Sequence, residues 1–565
     1  MLRLAAIPLV LLALLVGSLV WSDEGRQGRA DFAFVLKGDH VTLDLNNLSY
    51  AIDLRLAESM WEGLYTLDPA TLQPVLGTAD RVEVSPDRRV YTFHIRPGAR
   101  WSNGDPVVAG DFLFEWRRML ETPKEYSYLH AQYIRGAAAY EAAYADYATA
   151  PKGSKPPAPD FGSVGERANP DGTLRLELIY PVPFLPALLA FAPFYPMHEP
   201  SMRPFAQVDP RTGQVTYDPK FTQPPNLVTN GPFQLASWAF KRRVRLSANP
   251  FYWDKDHVRC QTIDEIRADD GLAAYRLYEQ GDVDWVADVD PDLAAPLFAQ
   301  HRPDLHVFPS FGTSYYELNC LPKLPDGRAN PLVDVRVRQA LAMSIDKRQI
   351  VDEVGRLGQP VATDFIPPGV FPGYTSPPGL PYDVDRAKRL MADAGYPGGH
   401  GFPRLSILFG TEASINGDVA TIIRRQWADH LGIEVDPNGM EGKQAASDLN
   451  HQQYSIARAA WFGDYFDPST FTDKYLSTAD NNAAKWADPA YDALCARAAV
   501  ESDPARRMAL FHDAEDRLLT QAPILPLYTY VGTFLYRPSV HGITPNAQAT
   551  VMFKGVWTDH MATVH

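Results

Sequence analysis

Amphipathic helical patterns alternate with short strand-like runs through most of this chain, and this alternation limits the possible folds most strongly. After Asp385, a good helix-capping residue, apolar residues recur at helical spacing until Gly395. A second stripe starts at Val419, ends at Gly432 and is followed by the strand-like run 433–435. A chain patterned in this way is predicted to fold as a mixed α/β protein whose apolar stripes face a core.

The first part of the chain carries a second kind of pattern. Residues 81–96 and 173–180 alternate polar and apolar side chains, which predicts half-buried antiparallel strands. The segment 150–169 between them is rich in proline, glycine, serine and charge and is predicted to be an exposed loop. No internal repeat is evident, which disfavours solenoids and propellers.

Size and charge narrow the function classes. The 565 residues are 45% hydrophobic, enough for roughly three or four domain-sized units with large cores. The net charge of −15 and the lack of a Lys/Arg tract argue against nucleic acid as a partner.

The N-terminus carries a targeting signal. Arg3 precedes an apolar run at 4–20, and Asp23 and Glu24 follow it, so we expect the N-terminus inside and the remainder exported. At 1.5 Å per residue the run would cover roughly 25 to 30 Å, which fits either an uncleaved membrane anchor or a long signal peptide. No cysteine lies near its end, which excludes a lipoprotein anchor.

Motifs for catalysis and for metal binding are missing from the sequence. There is no Gly-x-Ser-x-Gly, no His-Glu-x-x-His, no phosphate-binding loop and no dinucleotide glycine fingerprint. The acidic residues between Asp282 and Asp292 lack the glycine and glutamate of a calcium loop. The spacing of the three cysteines, Cys260, Cys320 and Cys495, fits no zinc site. Three cysteines could form at most one internal disulfide, but we expect buried free thiols.

An aromatic run near the C-terminus surrounds one carboxylate. Asp464 lies among Trp461, Phe462 and Tyr465, where an ionised side chain loses hydration unless a cation or several N–H donors meet it. The α-amino group of a peptide would meet that need. Pairing with Arg458, six residues earlier, is the structural alternative.

Four sequence blocks in a fixed order suggest a family. They are Trp101–Pro106 preceded by Val90–Arg96, Asn226–Pro232, Asp334–Leu341 and Ala460–Tyr465. In this order and spacing they resemble the oligopeptide-binding proteins of bacterial ABC importers, solute-binding protein family 5. The resemblance extends from about residue 40 to the C-terminus.

The resemblance implies an α/β, three-lobed periplasmic binding protein of type II with a ligand cleft between two hinged lobes. The implied segments are 1–30 for the signal peptide or anchor, 31–65, 198–311 and 530–565 for lobe I, 66–197 for lobe II, and 312–529 for lobe III. The chain would cross between lobes I and III near residues 311 and 529, and two short crossings make a hinge.

The resemblance also implies contacts with the ligand. Asp464 matches the family aspartate that pairs with the peptide α-ammonium group, and Arg458 matches an arginine that contacts peptide carboxylates. The strand bearing Trp461, with Phe462 and Gly463, would pair with the peptide backbone by β-augmentation. On a second strand of this kind, Tyr315 matches a cleft tyrosine and could equally be a core residue.

Further positions match less securely or depart from the family. Asp53 aligns with a cleft glutamate, with a surface helix acid as the alternative. Tyr126 or Tyr128 should form an aromatic wall from lobe II. Gly442 replaces a tryptophan that lines a side-chain pocket in relatives, so that pocket should be larger here.

Two other departures concern a histidine and a disulfide. Ile415 replaces a histidine that helps to capture the peptide C-terminus, which puts selection of peptide length in doubt. The disulfide of some relatives would fall at Gly312 and Phe462 and is therefore absent here.

We therefore expect a monomeric, extracytoplasmic receptor that binds short peptides without cofactor or chemistry and delivers them to an ABC permease with its ATPase subunits. It would be periplasmic, and residues 2–21 would hold it at the inner membrane where they are retained. The alternatives are another cargo on the same scaffold, such as a murein peptide, a metal chelate or an amino-sugar derivative, and a membrane-anchored sensor or enzyme.

Overall fold

The computed structural model describes residues 28–37, 40, 42–48, 51–68, 71, 73–150, 154–411 and 413–563. Of the predicted anchor or signal segment 1–30, residues 1–27 with the whole apolar run therefore lie outside the described residues. Within the described residues, no helix has the length and apolar character needed to span a membrane.

The strands of the described chain are β1 Phe32–Lys37, β2 Tyr65–Leu67, β3 Pro74–Leu76, β4 Ala79–Val84, β5 Val90–Ile95, β6 Glu166–Ala168, β7 Leu174–Glu177, β8 Ala206–Val208, β9 Val215–Tyr217, β10 Phe233–Ala239, β11 Arg243–Ala248, β12 Thr262–Ala268, β13 Trp285–Ala287, β14 Leu305–Leu318, β15 Leu405–Gly410, β16 Val435–Met440, β17 Ile456–Phe462, β18 Ile524–Tyr536, β19 Val540–His541 and β20 Trp557–Thr558.

The α-helices are α1 Ala51–Met60, α2 Ala109–Glu121, α3 Ser127–Tyr133, α4 Ala137–Thr149, α5 Leu185–Leu188, α6 Glu199–Met202, α7 Gly271–Gln280, α8 Pro291–Ala299, α9 Val335–Met343, α10 Lys347–Ile350, α11 Val384–Asp393, α12 Ser414–Leu431, α13 Gly442–Asn450, α14 Ser469–Thr472, α15 Pro489–Val500 and α16 Pro504–Gln521.

The helix predictions from the sequence hold with one shift at a helix start. Helix α12 ends at Gly432, which adopts a left-handed conformation with φ of 70°. The cap of α11 is Asp383 and not Asp385, because the side chain of Asp383 accepts the N–H of Arg386. The predicted antiparallel strands are β4, β5 and β7, but the predicted loop also contributes β6, which pairs with β7.

One ten-stranded mixed sheet organises the molecule. Its strand order is β10-β11-β12-β1-β13-β18-β14-β17-β15-β16. A separate four-stranded antiparallel sheet has the order β4-β5-β7-β6. Buried tryptophans anchor the two largest cores: Trp61, Trp116 and Trp285 belong to one core, and Trp427 belongs to the other.

Two long neighbouring strands join the halves of the ten-stranded sheet. Strands β14 and β18 pair antiparallel, and their register shifts between Pro309 and Thr313. On one side, β13 pairs with β1 and with the last residues of β18. On the other side, β17 pairs with the second part of β14, and β15 pairs in turn with β17. A Cβ atom on Gly532 would lie 2.4 Å from the ring of Phe308, so glycine lets the two strands stay paired close to the register shift.

Glycine and an aromatic ring occupy the two positions to which the family resemblance would assign a disulfide. Gly312 lies directly opposite Phe462 in the β14–β17 ladder, and a Cβ at Gly312 would be 2.4 Å from the phenyl ring. The cysteines are free thiols, with Cys260 and Cys495 buried and Cys320 partly buried.

Candidate functional site

A cavity of about 380 Å³ opens beside the end of β17. Its walls come from distant parts of the chain. They include Leu54, Arg55 and Glu58 of α1, Tyr126 and Phe191, Asp288 and Phe311, the segment Phe462–Phe466, and residues 547–550. We call this the first cavity.

The loop after β17 fixes Asp464 in the first cavity. The N–H of Gly463 donates to the carbonyl oxygen of Phe311 at 3.0 Å, and the N–H of Asp464 donates to Thr470 Oγ1 at 2.9 Å. Residue 463 is glycine because a Cβ there would lie 2.0 Å from the ring of Phe311. The backbone position of Asp464 is thus set by two bonds and one close contact.

The carboxylate of Asp464 has a weak partner. The hydroxyl of Tyr128 donates to Oδ2 at 3.4 Å, near the upper limit for a hydrogen bond. Removal from water raises the pKa of Asp464 to about 6, which the bond from Tyr128 partly offsets. An ionised carboxylate in this environment is short of donors and favours a cationic ligand.

The alternative prediction, in which Asp464 pairs with Arg458, is not seen among the described residues. Arg458 donates to the hydroxyl of Tyr530. In the part of the chain that is described, no ion pair joins Arg458 to Asp464.

Both candidate tyrosines of the aromatic wall approach Asp464. Tyr126 lines the first cavity and packs edge-on against Phe191, with ring centroids 4.9 Å apart. Tyr128 reaches the Asp464 carboxylate from the same turn of chain at the start of α3. Desolvation, followed by the charge of Asp464, raises the pKa of both hydroxyls, so both remain protonated donors at neutral pH.

A second cavity of about 330 Å³ lies further back along β17. One wall is α13, where Gly442, Ala445 and Ala446 present little side-chain volume. The remaining lining includes Tyr315, Glu317, Leu408, Arg458, Trp461, Lys474 and Asn481. Gly442 therefore lines this cavity, and a pocket larger than that of relatives stays a prediction.

Tyr315 is both a core residue and a cavity residue. It is 1% exposed and its ring contacts Phe365 edge-on at 5.2 Å, while it also lines the second cavity. Trp461 stands between the cavity and the loop that follows: its indole N–H donates to the carbonyl oxygen of Thr470 at 2.8 Å.

The outer edge of β17 is open for most of its length. β14 covers the inner edge from Ile456 to Phe462, but β15 pairs with the outer edge at Ile456 and Ala457 alone within the described residues. The backbone from Arg458 to Phe462 therefore passes along both cavities without a neighbouring strand on its outer side.

Asp53 does not lie in either cavity. Its carboxylate is fully buried, with Oδ1 2.8 Å from His40 Nδ1, and His40 Nε2 is 2.6 Å from Glu265. Burial alone would lower the pKa of His40, but the two carboxylates outweigh burial and raise the pKa to about 9. The residues of α1 that do line the first cavity are Leu54, Arg55 and Glu58.

Sequence reasoning missed Arg55, Glu58, Asp288, Glu317 and Lys474. Arg55 and Glu58 are spaced i, i+3 on α1, and this spacing could have indicated a shared face with Leu54. Asp288 belonged to the acidic series that was considered, and rejected, as a calcium loop. Nothing in the local sequence distinguishes Lys474 or Glu317 from structural residues.

Residues 52–483 match the model of the bacterial extracellular solute-binding proteins, family 5. The chain belongs to this family. The match covers well over half of the sequence and confirms the family and the α/β fold class predicted from the four sequence blocks.

Named relatives span nearly the whole chain. The oligopeptide-binding protein OppA of Bacillus subtilis is 27% identical over 562 residues, which cover 97% of each protein. The periplasmic oligopeptide-binding protein OppA of Salmonella typhimurium is 30% identical over 517 residues, 89% of this chain and 88% of the relative. Among solved structures, the Escherichia coli murein tripeptide-binding protein MppA has a TM-score of 0.74 at 27% identity, covering 94% of this chain and 99% of that one.

Proposed function

We propose that this protein is the extracytoplasmic peptide receptor of an ABC importer. It encloses a short peptide, docks on a membrane permease with its ATPase subunits and releases the peptide there. The observation that carries the proposal is the under-partnered Asp464 at the end of an open strand edge, because these two features match the two groups that every peptide offers, an α-ammonium group and a backbone.

The backbone of the peptide would add to the outer edge of β17. An open edge presents unpaired N–H and C=O groups, and an extended peptide satisfies them whatever its sequence. With its amino end at Asp464, the peptide would run from the first cavity toward Arg458 and place later side chains at the second cavity.

The α-ammonium group would replace the weak bond that Asp464 makes to Tyr128. The carboxylate then gains a full charge-assisted partner inside an aromatic enclosure formed by Tyr126, Phe191 and Phe462. Ammonium groups are also attracted to aromatic faces, which adds to the binding energy of the same group.

Contacts between the proposed lobes II and III support closure over the ligand. Phe184 stacks on Tyr465 with centroids 5.1 Å apart, and the guanidinium carbon of Arg507 lies 5.5 Å from the Phe184 ring. Arg507 is held in turn by Asp467 at 2.8 Å. With the lobe boundaries at 31–65, 198–311 and 530–565, 66–197, and 312–529, this sandwich joins two lobes beside the first cavity and would form on closure.

The relatives' names agree with this ligand class, since they bind oligopeptides or a murein tripeptide by name. The family is one of solute-binding proteins and not of enzymes. We extend this to the present chain and propose that it leaves the peptide intact and acts as a monomer. Chromatography of a peptide library before and after incubation would reveal cleavage if the extension is wrong.

We also propose that the protein works outside the cytoplasm and that residues 2–21 keep it at the inner membrane. The apolar run at 4–20 and the charges on either side of it support this placement. Fractionation of cells producing the full chain should find it with the membranes. Recovery of a wholly soluble chain beginning near residue 19 or 31 would refute the anchor.

The peptide assignment is tested with the purified full chain. Acid release and mass spectrometry of retained ligands should yield short peptides with free amino termini, and tri-alanine should give a calorimetric binding isotherm. Recovery of a non-peptide ligand together with no heat from tri-alanine or longer peptides would overturn the proposal.

A further inference from the structure

The second cavity has a charged lining that is not internally balanced. Of the described residues that line it, the charged ones are Arg458, Lys474 and Glu317. Two cations therefore face one carboxylate, and the sum stays positive whether or not Glu317 is ionised.

The three charged groups also have unused bonding capacity. Glu317 is fully buried; its Oε1 accepts the N–H of Ala484 at 2.9 Å and the hydroxyl of Tyr475 at 3.3 Å. Among the described residues, Glu317 Oε2 and Arg458 Nε are buried without a hydrogen-bond partner. Both atoms are enclosed by protein, so they contribute to the polar surroundings of the cavity without facing its open space.

Lys474 is the most exceptional of the three. The residue is 8% exposed, yet among the described residues its Nζ donates to one acceptor, the neutral carbonyl oxygen of Asn481, at 2.8 Å. The ammonium group also lies 4.9 Å from the centre of the Trp461 ring. Burial lowers the pKa of Lys474, and the charge of Glu317 only partly offsets this effect. An ammonium group in this state gains from an incoming anion.

The position of the cavity determines what can bring that anion. It borders Trp461 and Ala459 on the open edge of β17, several residues back from Asp464. Side chains of a strand alternate in direction at about 3.3 Å per residue, so a peptide starting at Asp464 reaches the cavity with a side chain after its first residue. The small side chains of α13 leave room for a side chain longer than alanine.

We propose that the second cavity is a subsite for a carboxylate side chain of the bound peptide, with Lys474 as the residue that selects it. The proposal deepens the proposed function and rests on it. The peptide carboxylate would accept from Lys474 Nζ and lie beside the guanidinium group of Arg458. The receptor would therefore prefer aspartate or glutamate to a neutral residue at one peptide position.

The experiment compares glutamate with glutamine, which has the same shape and no charge. Calorimetry with the full chain uses tri-alanine and its variants carrying Glu or Gln at position 1, 2 or 3, each with an amidated C-terminus so that the side chain is the sole carboxylate. We expect Glu to bind at least tenfold more tightly than Gln at one position after the first. A repeat with free C-termini shows whether a terminal carboxylate uses the same cations.

Two lysine variants identify the selecting group. Lys474→Met keeps the length of the side chain and removes its charge, so the Glu-to-Gln ratio should fall toward 1. Lys474→Arg should retain a preference for Glu. Lys388→Met is the matched control, because Lys388 is exposed on α11 and is not among the residues that line the second cavity, and it should keep the wild-type ratio. Circular dichroism and melting temperature establish that each variant is folded.

The outcomes separate this subsite from the function on which it rests. Equal affinity for Glu and Gln at every position, with tri-alanine still bound, overturns the subsite alone. A preference for Glu that survives in folded Lys474→Met overturns the role of Lys474. Absence of binding by every peptide overturns the peptide receptor itself.

Discussion

Substitution of Asp464 by asparagine should remove the ability of the protein to recognise a peptide's amino terminus. The change keeps the shape of the side chain and deletes the charge in the first cavity. Truncating one partner of a desolvated charge pair costs roughly 2 to 5 kcal/mol. Since each 1.4 kcal/mol is roughly tenfold, the affinity for free-amine peptides should fall by about 30-fold to a few thousand-fold.

N-acetylation provides the matched perturbation on the ligand. An acetylated peptide lacks the charge, so it should bind weakly to the native protein and about equally to Asp464→Asn. Calorimetric titration of both proteins with tri-alanine and acetyl-tri-alanine gives all four affinities and hence the coupling between the two groups. A mutant that keeps the native preference for the free amine would refute the assignment of Asp464.

The same substitution should raise the stability of the empty protein. The pKa of Asp464 is raised from its ordinary 3.8 to about 6, so the fold disfavours the ionised side chain at all pH values above the unfolded pKa. This pKa difference corresponds to a loss of at most about 3 kcal/mol in the free energy of unfolding. Partial exposure of the side chain reduces the loss to about 1 to 2 kcal/mol. Thermal melting at pH 7 should show a higher melting temperature for Asp464→Asn. A lower one would indicate a structural role.

Three further outcomes follow from the same geometry. Affinity for free-amine peptides should fall as the pH drops below about 6, because protonation of Asp464, with a pKa of about 6, removes the charge that meets the ammonium group. Calorimetry from pH 4.5 to 7, where the peptide's own amino group stays protonated, should find no such fall for Asp464→Asn. Gly442→Trp should weaken the binding of peptides that carry Trp or Phe at the position facing the second cavity and leave the binding of peptides with Ala there unchanged. An equal effect on both peptide classes in titrations would contradict the placement of that side chain. Gly463→Ala should destabilise the protein by about 1 to 3 kcal/mol in urea unfolding, since its Cβ would lie 2.0 Å from the Phe311 ring; an unchanged midpoint would show that the ring moves freely.

Local patterns predicted the elements of the fold well, and spatial neighbours explain the exceptions. The helix ending at Gly432 could be predicted because the apolar period and the terminating glycine lie within the element. Asp464 could be singled out because its aromatic neighbours are adjacent in sequence. The placement of Asp53 depends on His40 and Glu265, and Glu265 lies more than two hundred residues away, so no local pattern signals that the acid is buried.

The charge of the second cavity also could not be predicted from local sequence, although the space in it could. Gly442 indicated space at the site, but the charge in that space comes from Glu317 on β14 and from Lys474 after β17. Each is ordinary in its own sequence context. Their meeting depends on the register of β14 against β17, which a single sequence does not specify.

The paired strands β14 and β18 connect the two halves of the ten-stranded sheet and therefore limit how these halves can move relative to each other. Two strands that are hydrogen-bonded side by side resist independent bending. The proposed lobes would therefore move through one common bending of both strands near the register shift at Pro309–Thr313. The observed dissociation constant equals the intrinsic one divided by the fraction of molecules competent to bind. Packing changes at the Phe308–Gly532 contact can therefore retune affinity for every peptide by the same factor, leaving the ranking of peptides to the cavities.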